Sequence, residues 1–217
     1  MPKIANLFLL SALLAFAWAS TIKIDTQTRN FIDQYGRSLL YHGVNAVYKL
    51  PPYYPPNLST FDPILSLAPQ DFQNLCDWGF NFIRLYVAWE GTEVTKGSYN
   101  TTYLDQVRKI VRMAAQYNIT VLLDAHQDVL SRKFCGEGFP FWAFNRTNFP
   151  APINITIHYD NNGYANLTDC LQTNFFNYYK ADDVQKAWKA FYDNEDGLQD
   201  HFAEFWKQVA AYFKDEP

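Results

Sequence analysis

The chain has 217 residues with 18 basic and 22 acidic side chains, a net charge of −4, and 48% hydrophobic and 18% aromatic residues. That composition suits a folded globular protein; it excludes a disordered chain, a disulfide-stapled miniprotein and a strongly basic nucleic-acid binder. The acidity is spread without a long run of like charges, so partners must be inferred from sites rather than from a charged surface.

Lys3 precedes an apolar run from Leu7 to Trp18 that ends in Ala17-Trp18-Ala19. This pattern predicts a secretory signal peptide over residues 1–19, leaving 20–217 as one folded region. The run falls short of the roughly 18 apolar residues that a spanning anchor needs, and it contains Asn6 and Ser11. The expected destination is therefore secretion, or the lumen of a lysosome or vesicle. Six N-glycosylation sequons agree with that route, at Asn57, Asn100, Asn118, Asn145, Asn154 and Asn166.

From Thr21 onward, short apolar runs alternate with amphipathic stretches, the pattern of an α/β protein. A hairpin is expected from Phe31-Ile32-Asp33 through Gly36 into Leu39–Asn45, the latter forming the first parallel strand. The loop from Lys49 to Pro69 is too rich in proline for a helix or a central strand, and its aromatic residues predict a packed loop. A helix over 69–78 places Phe72, Leu75 and Cys76 on one face, with Cys76 expected as a buried thiol and Gly79 as a C-terminal cap. Strand two covers 81–87. A helix over 102–117 carries Leu104, Val107, Ile110, Val111 and Ala114 at helical spacing. Strand three, 120–126, is nearly all apolar and reads as buried on both faces. The segment from Gln127 to Tyr179 is a long loop of the kind kept for function. Its polar surroundings predict pairing of Cys135 with Cys170. Helices over 182–192 and 196–213 follow.

Polar residues collect where the strands end. Asn45 and Lys49 follow strand one, Arg84 and Trp89-Glu90 belong to strand two, and Asp124, His126, Gln127 and Asp128 close strand three. In a parallel α/β barrel those ends face the active site. Carboxylates, an imidazole, an amide and a cation beside Tyr48, Trp89 and Trp142 suit hydroxyl-rich sugars. Asp124, His126 and Asp128 as metal ligands fit less well, because no further ligand is evident. No metal and no cofactor is expected. Gly136-Glu137-Gly138 follows no strand and is too short to cradle phosphate.

The motifs Phe31-Ile32-Asp33…Gly36-Arg37, His42-Gly43-Val44-Asn45…Lys49, Arg84-Leu85…Trp89-Glu90-Gly91, Leu123-Asp124-Ala125-His126-Gln127-Asp128 and Cys135-Gly136-Glu137-Gly138 resemble glycoside hydrolase family 5, most closely its endoglycosylceramidase branch. The resemblance implies the N-terminal part of a (β/α)8 TIM barrel, with about three strand–helix units and the barrel incomplete. A full barrel takes about 250 residues. It further implies a retaining hydrolase that cuts the bond between oligosaccharide and ceramide in glycosphingolipids. Lys49, His126 and Asp128 would contact the sugar beside that bond, and Arg84 would hold the nucleophile. The family's two catalytic glutamates end strands four and seven, so both are expected beyond Pro217 and the chain alone is expected to be inactive. Asp215-Glu216-Pro217 follows a helix rather than an apolar strand, and so reads as the turn before strand four. Contact with a membrane surface is expected only through the lipid substrate. A glycolipid-binding protein without catalysis and a family 5 β-glucanase are the alternatives.

Overall fold

The computed structural model describes residues 22–144 and 156–217. The signal-peptide segment and the sequons at Asn145 and Asn154 lie outside them. The chain divides into two compact units, one up to Leu40 and one from Tyr41 onward.

In the first unit, strand β1 (Lys23–Ile24) pairs antiparallel with β2 (Phe31–Ile32), and Ile32 forms a bridge to Ser38. Asp33 fixes the turn, because its carboxylate accepts from the Tyr35 and Arg37 amides at 2.9 Å and from Arg37 Nε at 2.7 Å. The expected hairpin thus shrinks to one bridge after Ile32, and the partner strand that β2 uses is the shorter, unforeseen β1.

The second unit is built on three parallel strands in the order β3 (Gly43–Ala46), β4 (Phe82–Tyr86) and β5 (Thr120–Asp124). The first of these starts at Gly43 rather than Leu39. Helices α1 (Pro69–Asp77) and α3 (Thr101–Gln116) make the crossovers, with a one-turn helix α2 (Trp89–Thr92) between β4 and α3. Asn100 caps α3 by accepting from the Tyr103 amide at 3.1 Å. Leu104, Val107, Ile110, Val111 and Ala114 then form a buried stripe, which the 3.6-residue period requires. The proline-rich loop packs as expected, burying Tyr53 and Leu67.

Two expectations about burial are corrected. Cys76 is an exposed free thiol, because the buried direction of α1 is set by Phe72 and Leu75 and, at about 100° per residue, Cys76 points about 70° away from it. Strand β5 is not buried on both faces. Register pairs Val44, Ile83 and Val121 on one side of the sheet and Asn45, Arg84 and Leu122 on the other. Ile83 is fully buried on the first side, whereas on the second side Leu122 is half-exposed and only the strand ends, at Tyr86, are covered. No closed barrel forms among these residues.

The long loop after β5 is folded. It holds 3-10 turns at Arg132–Phe134 and Phe141–Phe144 and one-turn helices α4 (Leu167–Cys170) and α5 (Phe175–Tyr178), followed by α6 (Asp182–Tyr192) and α7 (Leu198–Phe213). Cys135 and Cys170 are joined, with an S–S distance of 2.03 Å across 35 residues of chain; closing a loop of that length removes about 4 kcal/mol of unfolded-chain entropy. Below the loop, Trp89 is enclosed by Phe139, Phe202 and Phe205, with ring centroids 4.9, 5.3 and 5.9 Å away. Replacing Ile83, fully buried at the centre of the sheet, by alanine is expected to destabilise the fold by about 2–5 kcal/mol, read as a lower urea midpoint in tryptophan fluorescence.

Candidate active site

The strand ends bring Lys49, Arg84, Asp124, His126 and Asp128 into one chain of ion pairs, joined by hydrogen bonds at Asp128, and the structure adds Glu137 and Tyr179 to it. Arg84 Nη2 lies 2.7 Å from Asp124 Oδ2, and the same oxygen is 3.5 Å from His126 Nδ1. His126 Nε2 lies 3.2 Å from Asp128 Oδ2 and 3.7 Å from Glu137 Oε1. The Lys49 ammonium pairs with Asp128 and, at 2.9 Å, with Glu137. Tyr179 donates its hydroxyl proton to Asp128 Oδ1 at 2.8 Å.

Backbone geometry forces the carboxylates together. Asp128 and Glu137 form an antiparallel bridge and exchange both N–H···O bonds, at 3.1 and 2.8 Å, so their side chains leave the same face. The glycines beside Glu137 make that approach feasible. A Cβ on Gly136 would stand 1.9 Å from the Asp128 carbonyl oxygen, and Gly138 has φ +123° with Gln127 Cβ only 2.4 Å from where its own Cβ would be. Gly-Glu-Gly is thus a close-approach signal from which Glu137 could have been found.

The two carboxyls respond in opposite directions. Burial pushes the Glu137 carboxyl up to about 7, with Lys49 opposing and the Asp128 charge adding to the rise. Burial would raise Asp128 as well, but hydrogen bonds from Lys49 and Tyr179 outweigh it and bring that carboxyl down to about 2. For Lys49 burial works against the charged form, yet the bonds to Asp128 and Glu137 prevail and raise it above the ordinary lysine value.

His126, Asp128 and Glu137 place one ligand atom each within 4.8 Å of one another, a spacing that a divalent cation accepts. The Lys49 ammonium already pairs with both carboxylates from within that set, so the donor set fits an internal ion pair better than a metal.

Aromatic neighbours differ from those expected. Trp89 is buried and donates to Glu93 Oε2 at 2.7 Å; Trp142 stacks on it edge-on and donates to the Glu93 carbonyl at 2.8 Å. Trp89 is thus a packing residue rather than a sugar platform, and Trp142 is half-buried. Phe175, whose ring centroid lies 5.9 Å from Lys49 Nζ, and Tyr179 border the cluster instead. Tyr48 is half-buried just ahead of Lys49. Glu90 is buried under the loop, its amide donating to the Gly138 carbonyl at 3.0 Å. Burial raises its carboxyl, with Tyr53, Tyr164 and Arg132 pulling the other way. Asn45 sits exposed in register with Arg84.

Glu216 stands apart. Arg112 holds it through Nε at 2.7 Å and Nη2 at 2.8 Å. It lines a groove with Val111, Val121, Leu123 and Phe213, on the helix-covered face and opposite to Arg84 and Asp124.

Residues 56–217 match the family model described as cellulase, glycosyl hydrolase family 5. The chain belongs to glycosyl hydrolase family 5. It is 41% identical over 198 residues to an endoglycoceramidase of Cyanea nozakii, covering 89% of this chain and 39% of that protein. Against an endoglycoceramidase of Hydra vulgaris it is 38% identical over 204 residues, covering 90% and 38%. The solved endo-glycoceramidase II from Rhodococcus sp. in complex with ganglioside GM3 superposes with a TM-score of 0.65 at 27% identity, over 85% of this chain and 39% of that one. The chain therefore spans about two-fifths of the length of these relatives.

Glu137 generates a pH dependence of known sign. A carboxyl raised from 4.5 to about 7 on folding contributes stability that is full below the ordinary value and is lost as pH rises through about 7. Asp128, lowered to about 2, contributes above its ordinary value and loses that as pH falls. The melting temperature is expected to fall between about pH 5 and about pH 8, and Glu137→Gln, which cannot ionise, should flatten that fall in differential scanning fluorimetry.

Proposed function

We propose that these residues form the sugar-holding half of a retaining O-glycosyl hydrolase that acts on glycosphingolipids, cleaving between oligosaccharide and ceramide. The observation that carries this reading is the Lys49–Asp128–His126 cluster at the ends of β3 and β5, which offers donors and acceptors to adjacent hydroxyls beside the Phe175 and Tyr179 rings. Similarity to two endoglycoceramidases over about nine-tenths of the chain supports the substrate class. Retaining hydrolysis needs two carboxyl groups about 5–5.5 Å apart on either side of the scissile bond. We place both in sequence beyond Pro217, so the 217-residue chain holds glycan without hydrolysing it. Arg84 is then the cation that faces the nucleophile. Among the described residues no helix is long and apolar enough to cross a membrane, and the membrane surface is met through the lipid substrate. Passage through the secretory route into an extracellular or lysosomal space completes the reading.

Isothermal titration of the 217-residue chain with lactosylceramide in detergent micelles is expected to show binding without release of lactose. Lys49→Ala, which removes a charged hydrogen-bond partner, should weaken that binding by about tenfold or more. Release of lactose by the chain alone would refute the placement of the glutamates, and unchanged affinity in the variant would refute the sugar site.

A further inference from the structure

A sugar-sized cavity lies away from this cluster. Pro52, Tyr53, Tyr54, Gly91, Val94, Asn100, Thr102 and Tyr103 line an open pocket of about 230 Å³, room for one pyranose ring. Three of these walls are tyrosines, and Val94 is 59% exposed, an apolar surface that no described residue covers. Asn100 and Thr102 are the first and third residues of the sequon Asn100-Thr101-Thr102.

The asparagine is arranged for modification. It is exposed at the N-terminus of α3, its Oδ1 accepts from the Tyr103 amide, and its Nδ2 donates to no described residue. A glycosylated amide keeps its carbonyl oxygen, so a sugar on Nδ2 leaves the helix cap intact. Asn166 uses Oδ1 in the same way, accepting from the Thr168 and Asp169 amides at 2.9 and 3.4 Å. It differs in that it does not line this cavity.

We propose that Asn100 carries an N-linked glycan whose first N-acetylglucosamine folds back into the cavity, its C–H face against Tyr54 and Val94. Free sugar would bind such a shallow aromatic pocket weakly, but covalent attachment at the rim supplies an effective concentration in the millimolar range. Docking covers Val94 and locks the proline-rich loop, through Pro52 to Tyr54, to the start of α3. The inference depends on passage through the secretory route and is independent of the glycosidase reading.

The test is glycopeptide mapping of the protein secreted from a eukaryotic cell line, followed by timed release of the glycans from the native protein with a peptide-N-glycosidase. Occupancy at Asn100 is expected, with release there about twofold or more slower than at Asn166, since a site whose affinity is near the effective concentration is docked, and shielded, in about half of the molecules. Tyr54→Ala should abolish the difference, and Val94→Ala, at an exposed position, should reduce it if the first variant fails to fold. An unmodified Asn100 beside an occupied Asn166, or equal release rates, overturns the proposal. Absence of glycan from every sequon overturns the secretory reading, and this inference with it.

Discussion

The Lys49 ammonium lies between two carboxylates that the backbone has already committed to one face, and the strand-end cluster depends on that placement. The Asp128–Glu137 bridge fixes the separation of the side chains before any electrostatics are considered. Two ionised carboxyls so placed repel one another in a poorly hydrated setting. A cation touching both relieves this, and a raised Glu137 relieves the rest by taking up a proton near neutrality. The same ammonium joins the chain after β3 to the chain after β5. Tyr179, at the end of α5, closes the arrangement from the long loop.

What keeps this polar layer in place is the apolar layer beneath it. The loop after β5 rests on Trp89, Phe139, Phe202 and Phe205, so elements far apart in sequence share one aromatic stack. The Cys135–Cys170 crosslink holds the Gly-Glu-Gly turn to the segment that leads to Tyr179. The cluster is therefore preorganised by packing and covalent closure, with Lys49 at its exposed rim and Glu137 buried behind it. Preorganisation of this kind leaves the hydrogen bonds of a site free to favour a ligand rather than be spent on ordering the site.

The periodic parts of this structure were legible in the chain. Leu104, Val107, Ile110 and Val111 announce α3, and Asp182 to Tyr192 forms a helix with the expected ends. The polar residues closing each parallel strand were legible for a related reason, since charged groups at the end of an apolar strand carry a desolvation cost that only a site or a partner offsets. Errors arose where a side chain's direction depends on its neighbours. Cys76 lies within the apolar run of α1 but off its buried direction, and Leu122 looks buried until the uncovered face of the sheet is seen. Trp89 looks like a sugar platform until Phe202 and Phe205 of α7 are placed against it. Glu137 escaped because its role comes from a bridge between residues nine apart, one whose sequence trace is two glycines.

Asp128 and Glu137, one carboxyl depressed and one raised, have the electrostatic profile of a glycosidase pair, in which one group is ionised and the other holds a proton. Geometry separates them from that role. A retaining pair stands on opposite sides of the glycosidic bond and leaves the space between for substrate, whereas Asp128 and Glu137 converge on one ammonium that occupies the space between them. Removing Lys49 to admit a sugar would leave two carboxylates facing each other without a cation. Their opposed pKa shifts are the mark of a fixed ion-pair cluster. Glu216 cannot complete a pair either, because the guanidinium of Arg112 holds it on the far face of the sheet. Among the described residues, the side open for a second carboxyl to approach is the one that carries Asn45 and Leu122.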